Sequence, residues 1–510
     1  MSIYSNIMAV DIGTTGIKVC IFDKVGKRLA HAYREHPLIC KKAGWAEQDP
    51  NEWWEAFKYC MKLILRNNRD ILANVAAISC TGQIATPVML DSEGSVICNS
   101  PIWMDRRAQE QCESFCHKFG FDRLYNLTGL RPDPMFTLYK LLWIKEKQPE
   151  NYQKIKIILQ PKDYFNYRLT GIMATDTTIA ASTQMFDIAN LVWNIEIFEA
   201  VDISPKIMPV VYKSTHVLGK VHESLAIEFG IMPEAIVVAG SGDSTASTLG
   251  CGVCENGRAA IVLGTASDVS LCSDKPILDP GKRIGCYPFI ADGTYMAIAG
   301  SNSSPVALKW FRDQFYESEK VACKQANIDI YDYMMNAAAE IEAGAKGLIF
   351  LPYLSGERSP IYNVNARGIF AGISLVHERG HFIRAILEGV GMSVKDRVNI
   401  FTDIGTKLYD AVLTGGGAKS ELWREIITDM LGQPTYYADE PETTCLGAAM
   451  IAAYSVGIYG SIQKACKGME PSVSKILPDT GKFDFYNKLF TYYKELYNNN
   501  LNLLGKLSHM

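Results

Sequence analysis

Two stretches about 250 residues apart repeat one pattern of apolar and polar positions: "IMAVDIGTTGIKVCIFD" (7–23) and "AAIVLGTASDVSLCSD" (259–274). Each is a short apolar run, then Gly-Thr with small residues, then a second run of alternating character. That pattern predicts a β-hairpin with a Gly-Thr turn at its tip. Glycine lets the backbone bend sharply and approach a ligand. The threonine adds a hydroxyl beside free backbone N–H groups, which makes an anion-binding concavity. One copy alone would read as an ordinary turn. Two copies, each opening a half of the chain, predict a duplicated domain with two phosphate-gripping turns.

Between the hairpins, strand-like and helix-like segments alternate. "VAAISCTGQIATPVMLD" (75–91) predicts two strands around a turn. "PMFTLYKLLWIKEKQPE" (134–150), with Leu138, Leu141, Leu142 and Ile144, predicts a helix. "GLIFLPYLSGERSP" (347–360) reads as a strand running into a loop. "GHFIRAILEGVGMSVKDRVNIF" (380–401) reads as a long amphipathic helix, with Phe382, Ile386, Val390 and Val394 at four-residue steps. "LYDAVLTGGGAKSELWREIITDMLG" (408–432) reads as strand, glycine turn, helix. "TCLGAAMIAAYSVGIYG" (444–460) is the most membrane-like segment, but it is slightly short for a span and carries Gly and Ser. It predicts a buried small-residue helix packed closely on a neighbour. The whole is α/β twice over. The boundary is placed near Glu255, giving domains 1–254 and 255–510, with a polar, lysine-rich helical appendage after about residue 460.

Composition narrows the class. With 510 residues, 48% hydrophobic and 21% charged, the chain has the make-up of a globular protein of two or more domains. A net charge of -4 with no long run of like charges argues against nucleic-acid or anionic-membrane partners. The start, "MSIYSNIMAVDIG", lacks a basic stretch followed by an apolar one, so no signal peptide is expected. Fourteen scattered cysteines fit reduced thiols in a cytoplasm. Cys251 and Cys254 have C-x-x-C spacing, but no second pair completes a zinc site.

Candidate chemistry gathers at glycines. "AGSGDSTASTLGCG" (239–252) sets one carboxylate, Asp243, among glycines and small hydroxyls. Its "GSGDST" begins like a dinucleotide fingerprint but has Thr245 at the sixth position, where that fingerprint needs glycine. "GGGAKS" (415–420) ends like a P-loop but has Ala418 in place of glycine. A more general feature survives: the glycines follow an apolar strand and open a helix near Ser420, and a helix N-terminus after flexible backbone binds phosphate or packs on a flat ring. Asp11 ends the first strand beside "GTTG". An acid there repels an anion unless a cation such as Mg²⁺ lies between them. A turn-capping aspartate is the other reading.

The ordered set of motifs resembles the FGGY family of carbohydrate kinases, within the actin and hexokinase superfamily. The resemblance runs from about residue 7 to about 458. "DIGTTGIKVCIFD" and "LGTAS" are similar to its two phosphate motifs, "AGSGDSTAS" to the segment with its catalytic aspartate, and "TGGGAKSELWREIITDMLG" to its adenosine motif. "GIFAGISLVHERGHFIRAILE" (368–388) is similar to its C-terminal signature, and "PMFTLYKLLWIKEK" to its N-terminal one up to Lys147. "QPKDYFNYRLTG", "FLPYLSGERSP" and "PIWMDRR" are most similar to the xylulokinase branch.

The resemblance implies two ribonuclease-H-like domains with a catalytic cleft between them. It implies ATP and Mg²⁺ as cofactors and a small sugar, such as xylulose or another ketose, polyol or sugar acid, as acceptor. A homodimer stays open. Asp243 is implied as the base, with Asp11 and Asp243 around the metal. Gly13, Thr14, Thr15, Lys18, Gly264, Thr265, Gly415, Gly416, Gly417 and Ser420 are implied at the nucleotide. Gln83, Ile84, Ala85, Trp103, Asp105 and Arg107 are implied at the sugar. One departure stands out: xylulokinases carry Gly-Gln-Met-His-Gly where this chain reads "GQIAT", so Ala85 replaces a histidine and the pocket is altered. Ser244 follows the base where asparagine is common. The rival readings are a non-catalytic sugar or nucleotide sensor on the same fold, and a nicotinamide-dependent dehydrogenase, which fails the fingerprint.

Overall fold

The computed structural model describes residues 6–264, 267–302 and 305–508. Strand β1 (Asn6–Ile12) turns back on β2 (Gly16–Phe22), and β3 (Arg28–Glu35) continues antiparallel. Strand β4 (Val75–Gly82) lies parallel to β1 on the other side. Strand β5 (Val217–Lys220) forms the antiparallel edge beside β6 (Ile236–Gly242), which runs parallel to β4. The six-stranded order is β5-β6-β4-β1-β2-β3.

The second half repeats this plan. Strands β7 (Arg258–Leu263), β8 (Ser267–Ser273), β9 (Gly285–Pro288) and β10 (Tyr295–Ser301) make the antiparallel side. Strands β11 (Asp410–Thr414) and β12 (Thr435–Ala438) add parallel to β7, and β13 (Val473–Ile476) closes the edge antiparallel. The order is β9-β10-β8-β7-β11-β12-β13, so β9 is the one strand without a counterpart in the first sheet. Each sheet thus has an antiparallel triplet, two parallel strands and an antiparallel edge. This is the duplicated α/β plan that the repeated hairpin pattern predicts.

Most predicted elements appear, with informative differences. The segment 75–91 does make two strands, but Val88–Leu90 pairs with Ile157–Leu159 rather than with β4. Residues 83–87 are therefore a loop leaving the sheet, not a hairpin turn. Helix α1 (Asp243–Gly250) starts at the end of β6. Helix α2 (Arg379–Asp403) covers the expected long helix, yet it is buried on nearly every side and is not simply amphipathic. Its polar residues are buried with partners: Arg384 donates to Glu388 at 2.8 Å, and Lys494 reaches Asp396 at 2.8 Å. Helix α3 (Glu421–Leu431) follows the glycine turn, and Ser420 caps it by accepting from the Trp423 N–H at 3.3 Å.

The apolar segment near residue 450 is helix α4 (Thr443–Ser455), buried along most of its length. A Cβ on Gly447 would fall 1.8 Å from the Ala246 carbonyl oxygen, and one on Gly250 would fall 1.9 Å from the Thr443 carbonyl oxygen. Helices α1 and α4 therefore touch backbone to backbone, and side chains at the crossing would hold them apart. Although α4 comes late in the chain, it packs on β1, β2, β4 and β6 of the first sheet. One hydrophobic cluster accordingly gathers Ile7, Cys20 and Val238 from the first sheet with Ala260, Cys272 and Val412 from the second. After α4, β13 and helix α5 (Thr480–Leu507) dress the second sheet, with Tyr486, Tyr493 and Leu504 buried in its own cluster. Among the described residues, no helix is long and apolar enough to cross a membrane.

Candidate active site

The first two site carboxylates stand at the ends of parallel strands. Asp11 pairs in register with Thr81 of β4, whose other neighbour in register is Ser241 of β6. Asp243 begins α1 two residues beyond Ser241. Ligands of open α/β sheets bind at such strand ends. A bulge in β6 sets the height of Asp243: the register against β4 shifts between Val238 and Ser241. Gly240 permits it, with φ of +72° and a would-be Cβ 1.9 Å from the Cys80 carbonyl oxygen. The small residues around Asp243 thus serve packing first: Gly240 answers to β4, and Ala246 and Gly250 answer to α4. Only Gly242, Ser244 and Thr245 of this stretch face the adjoining cavity.

The electrostatics of the two acids are unusual. Burial pushes the Asp11 carboxyl up to about 7, with the charges of Asp243 and Glu442 adding to the shift and Lys18 opposing it. Its Oδ1 is buried without a hydrogen-bond partner among the described residues. Burial likewise pushes Asp243 up to about 6, against the pull of Ser244, whose N–H donates to Oδ1 at 2.7 Å. A carboxylate whose charge raises the pKa of its neighbour favours protonation of that neighbour, or a cation between the two.

Beside Asp11 lies the first turn. Gly13 N–H donates to the Gly16 carbonyl at 3.1 Å, and Gln48 Nε2 donates to the Thr14 carbonyl at 2.7 Å. Trp103 Nε1 donates to Thr14 Oγ1 at 2.9 Å, and the Tyr33 hydroxyl donates to Thr15 Oγ1 at 3.3 Å. The amides of Thr14 and Thr15 meet no acceptor among the described residues, as an anion-binding turn requires. Thr265 of the second turn lies outside the described residues.

Gly264 meets Gly416, Gly417 and Ser420 in a cavity of about 500 Å³, walled by Tyr331, Met335 and Trp423. Gly416 is open, with nothing within 4 Å of a would-be Cβ. Gly415 plays a different part: at φ +90° it lets the chain pass Leu263, whose carbonyl oxygen would lie 2.8 Å from a Cβ.

A second cavity, of about 170 Å³, adjoins Asp243 and is lined from both halves. Ile84, Thr178, Gly242 and Ser244 come from the first half; Asp268, Tyr287 and Arg358 come from the second.

Four residues implied by the resemblance sit elsewhere than expected. Lys18 forms an ion pair with Glu442, the residue that precedes α4. Burial pulls its ammonium down, but the hydrogen bond and charge of Glu442 outweigh this and hold it above its ordinary value. It ties the first hairpin to α4 and does not stand free for a phosphate. Ala85 is fully buried at φ +55°, its carbonyl accepting from Lys140 Nζ at 2.7 Å. Ala85, expected at the sugar in place of a histidine, therefore does not line the cavity, and Ile84 faces it instead. Asp105 and Arg107 are a buried brace. Arg107 donates to Asp105 at 2.9 and 2.7 Å, reaches Glu47 at 2.7 Å, and stacks 3.7 Å over Trp45, while Asp105 also accepts from Ala46 N–H. Together they hold the segment that carries Trp103.

Gln83 links the loop to the turn, donating to Gln48 Oε1 at 2.9 Å, with its own Oε1 buried and unpartnered among the described residues. The sequence reading missed Gln48, Asp268, Tyr287 and Arg358. Arg358 sits in the quoted "SGERSP", but nothing in the local pattern says that this loop returns to the first half. Cys251 and Cys254 are buried, with the Cys254 thiol hydrogen-bonded to Cys466.

A phosphate-type turn beside a pair of half-buried acids, a glycine-walled cavity and a second cavity lined from both halves describe a phosphotransferase on an actin-like fold. The model of the FGGY family of carbohydrate kinases, N-terminal domain, matches residues 6–250, and that of the C-terminal domain matches 259–456. The chain belongs to the FGGY family and is a carbohydrate kinase, a class that uses ATP. It is 30% identical over 505 residues to the xylulose kinase of Escherichia coli (strain K12), covering 98% of this chain and 100% of that one. Among solved structures it is similar to a gluconate kinase from Lactobacillus acidophilus (TM-score 0.91, 27% identity, covering 99% of this chain and 100% of that one). It is similar also to a ligand-bound xylulose kinase from the same organism (TM-score 0.90, 28% identity, 98% and 99% covered).

Proposed function

We propose that the chain transfers the γ-phosphoryl group of ATP to a hydroxyl of a small sugar, a ketose such as xylulose. The observation that carries this reading is the juxtaposition of Asp11 and Asp243 between the first turn and the two-sided cavity, with carboxyls pushed up to about 7 and about 6. Residues 1–254 bring the acceptor and the base, and 255–510 bring the adenosine cavity. Asp243 orients the acceptor hydroxyl and takes its proton as the oxygen bonds to phosphorus. A base with a pKa near the working pH does this well. The amides of Thr14 and Thr15 receive phosphate oxygens, and Gly264, Gly416 and Gly417 leave room for the nucleoside. Phosphoryl transfer asks mainly for such positioning and for neutralisation of spread negative charge.

Mg²⁺ supplies that neutralisation when bound. Asp11, with its unpartnered buried oxygen beside a phosphate turn and a second acid, fits it; among the described residues no cluster of three or more ligating side chains exists, which suits an ion completed by phosphate and water. Fourteen unpaired thiols fit a reducing, cytoplasmic setting. The test is ADP release with ATP, Mg²⁺ and a panel of ketoses, polyols and sugar acids. Acceptor-dependent ADP supports the reading; ADP release that no acceptor stimulates overturns it.

A further inference from the structure

The two-sided cavity is lined by apolar side chains and by four charged ones, Arg131, Asp133, Asp268 and Arg358, and the two arginines have no place yet in the reaction. Ile84, Leu130, Phe136 and Met296 are among the apolar side chains. Arg358 enters from the loop after strand Ile349–Leu351. Its neighbour Glu357 fixes that loop: the buried carboxylate accepts from Ser301 Oγ at 2.6 Å, Asn302 N–H at 2.8 Å and Arg358 N–H at 2.7 Å. Ser359 N–H donates to the Gly300 carbonyl at 2.9 Å. Gly300 makes room for the guanidinium, since a Cβ there would lie 2.8 Å from its central carbon.

The backbone under Arg358 is therefore firmly held, while its head group is not. Nη2 reaches Asp268 Oδ1 and the Ser301 carbonyl at 3.4 Å each, near the limit of a hydrogen bond. Nε is buried and has no partner among the described residues. A buried N–H left without an acceptor costs stability unless a ligand satisfies it. Arg131, from the first half, lines the same cavity and lies 4.3 Å over the ring of Tyr362 from the second. Among the described residues no side chain accepts a hydrogen bond from it.

We propose that Arg358, assisted by Arg131 across the cleft, is the specificity-determining contact for the acceptor, and that it selects an acceptor bearing a planar, acceptor-only oxygen. The inference rests on the kinase reading above and deepens it. Arginine offers donors only, in a planar fork. A carbonyl or carboxylate oxygen accepts from that fork without bringing a hydrogen of its own; a hydroxyl at the same place brings one that must find another acceptor. The shared chemistry is thus the ketone of an open-chain ketose or the carboxylate of a sugar acid, with a simple polyol disfavoured. Its recognition joins the two halves, because Arg358 belongs to one and Asp243 to the other.

The experiment measures kcat/KM for a ketose, its reduced polyol and the sugar acid of the same chain length, in the wild type, Arg358→Lys and Arg358→Gln. The KM for ATP and the melting temperature are followed in each. In the wild type the better of ketose and sugar acid exceeds the polyol by about 10- to 100-fold, the size of a charge-assisted hydrogen bond. Arg358→Gln raises the KM of that acceptor and collapses the ratio toward unity, while the KM for ATP holds. Arg358→Lys, which keeps a charged, donor-only group but not the planar fork, falls between the wild type and Arg358→Gln. A wild type that uses the polyol equally well, or a ratio unchanged in Arg358→Gln with normal melting, overturns the proposal. A wild type that phosphorylates none of the acceptors overturns the kinase reading itself.

Discussion

In the first half the strand before the turn ends Asp11-Ile12-Gly13; in the second it ends Val262-Leu263-Gly264. Across the hairpin Asp11 faces Lys18, while Val262 faces Asp268. The strands that lead into helices differ in the same way. Strand β6 runs directly into Asp243, whose carboxylate, among the described residues, accepts side-chain and neighbouring backbone hydrogen bonds from Ser244. The chain after β12 reaches Glu442, neutralised by Lys18 and, at 3.9 Å, by Arg28. Both halves carry an acid where the outer parallel strand gives way to a helix, while only the first carries one on the strand before its turn. Among the described residues Asp11 and Asp243 form no ion pair, because the Lys18 that faces Asp11 is taken by Glu442, and they stay available; in the second half the acid is spent on holding the halves together. The duplicated fold therefore supplies the positions, and the pairing of each acid decides whether it works on a ligand or on the structure.

The sharpest way to break this comparison is to remove each acid in turn. Asp243→Asn is expected to lose at least about 10²-fold in kcat with a melting temperature no lower than that of the wild type. Glu442→Gln is expected to keep kcat within a few-fold and to melt earlier, because the half-buried Lys18 loses its partner. Steady-state kinetics and thermal melts on the two variants check this, and reversed outcomes would exchange the roles assigned above.

The junction of the halves is expected to be nearly as sensitive. Gly447→Ala places a methyl against the Ala246 carbonyl at the α1–α4 crossing, which should cost about 1–3 kcal/mol in a denaturant titration. Because α1 begins at Asp243, kcat should fall in the same variant. Full stability would mean that the two helices have slack that the packing does not show.

Titration sharpens the difference between a free and a paired acid. Asp243 must be unprotonated to act as base, and its carboxyl is pushed up to about 6. Activity should therefore rise through that pH and, below it, fall by about tenfold per unit. A profile flat from pH 5 to 7, measured as kcat/KM for the acceptor, would detach Asp243 from proton transfer.

The smallest expected effect is on stability without nucleotide. An acid whose folded pKa is raised costs stability above that value and costs nothing below its ordinary one. Asp11, pushed from 3.8 to about 7, should thus burden the protein at pH 8 and not at pH 4. Asp11→Asn should gain roughly 1 kcal/mol at pH 8, with the gain fading as pH falls, while activity is lost. Equal melting shifts at both pH values would show that the charge of Asp11 is not what is strained.

The sequence alone determined the repeated hairpins, the glycine turn capped by Ser420, the close-packed helix near residue 450 and the identity of Asp11 and Asp243 as the acids to watch. These are local: a two-residue period, a glycine where a turn or close approach needs one, an acid beside an anion turn. What it could not decide was which side chain faces which neighbour across the fold. Ala85, Lys18, Asp105 and Arg107 carry the right chemistry at the right place in the chain, but tertiary packing turns Ala85 into the core, gives Lys18 to Glu442 and closes Asp105 and Arg107 on each other and on Glu47. Arg358 and Ile84 lie 274 positions apart and meet only because the two sheets close on one cavity. A local pattern fixes where a side chain leaves the backbone; its partner is chosen by elements hundreds of residues away, packed at a density that leaves few alternatives.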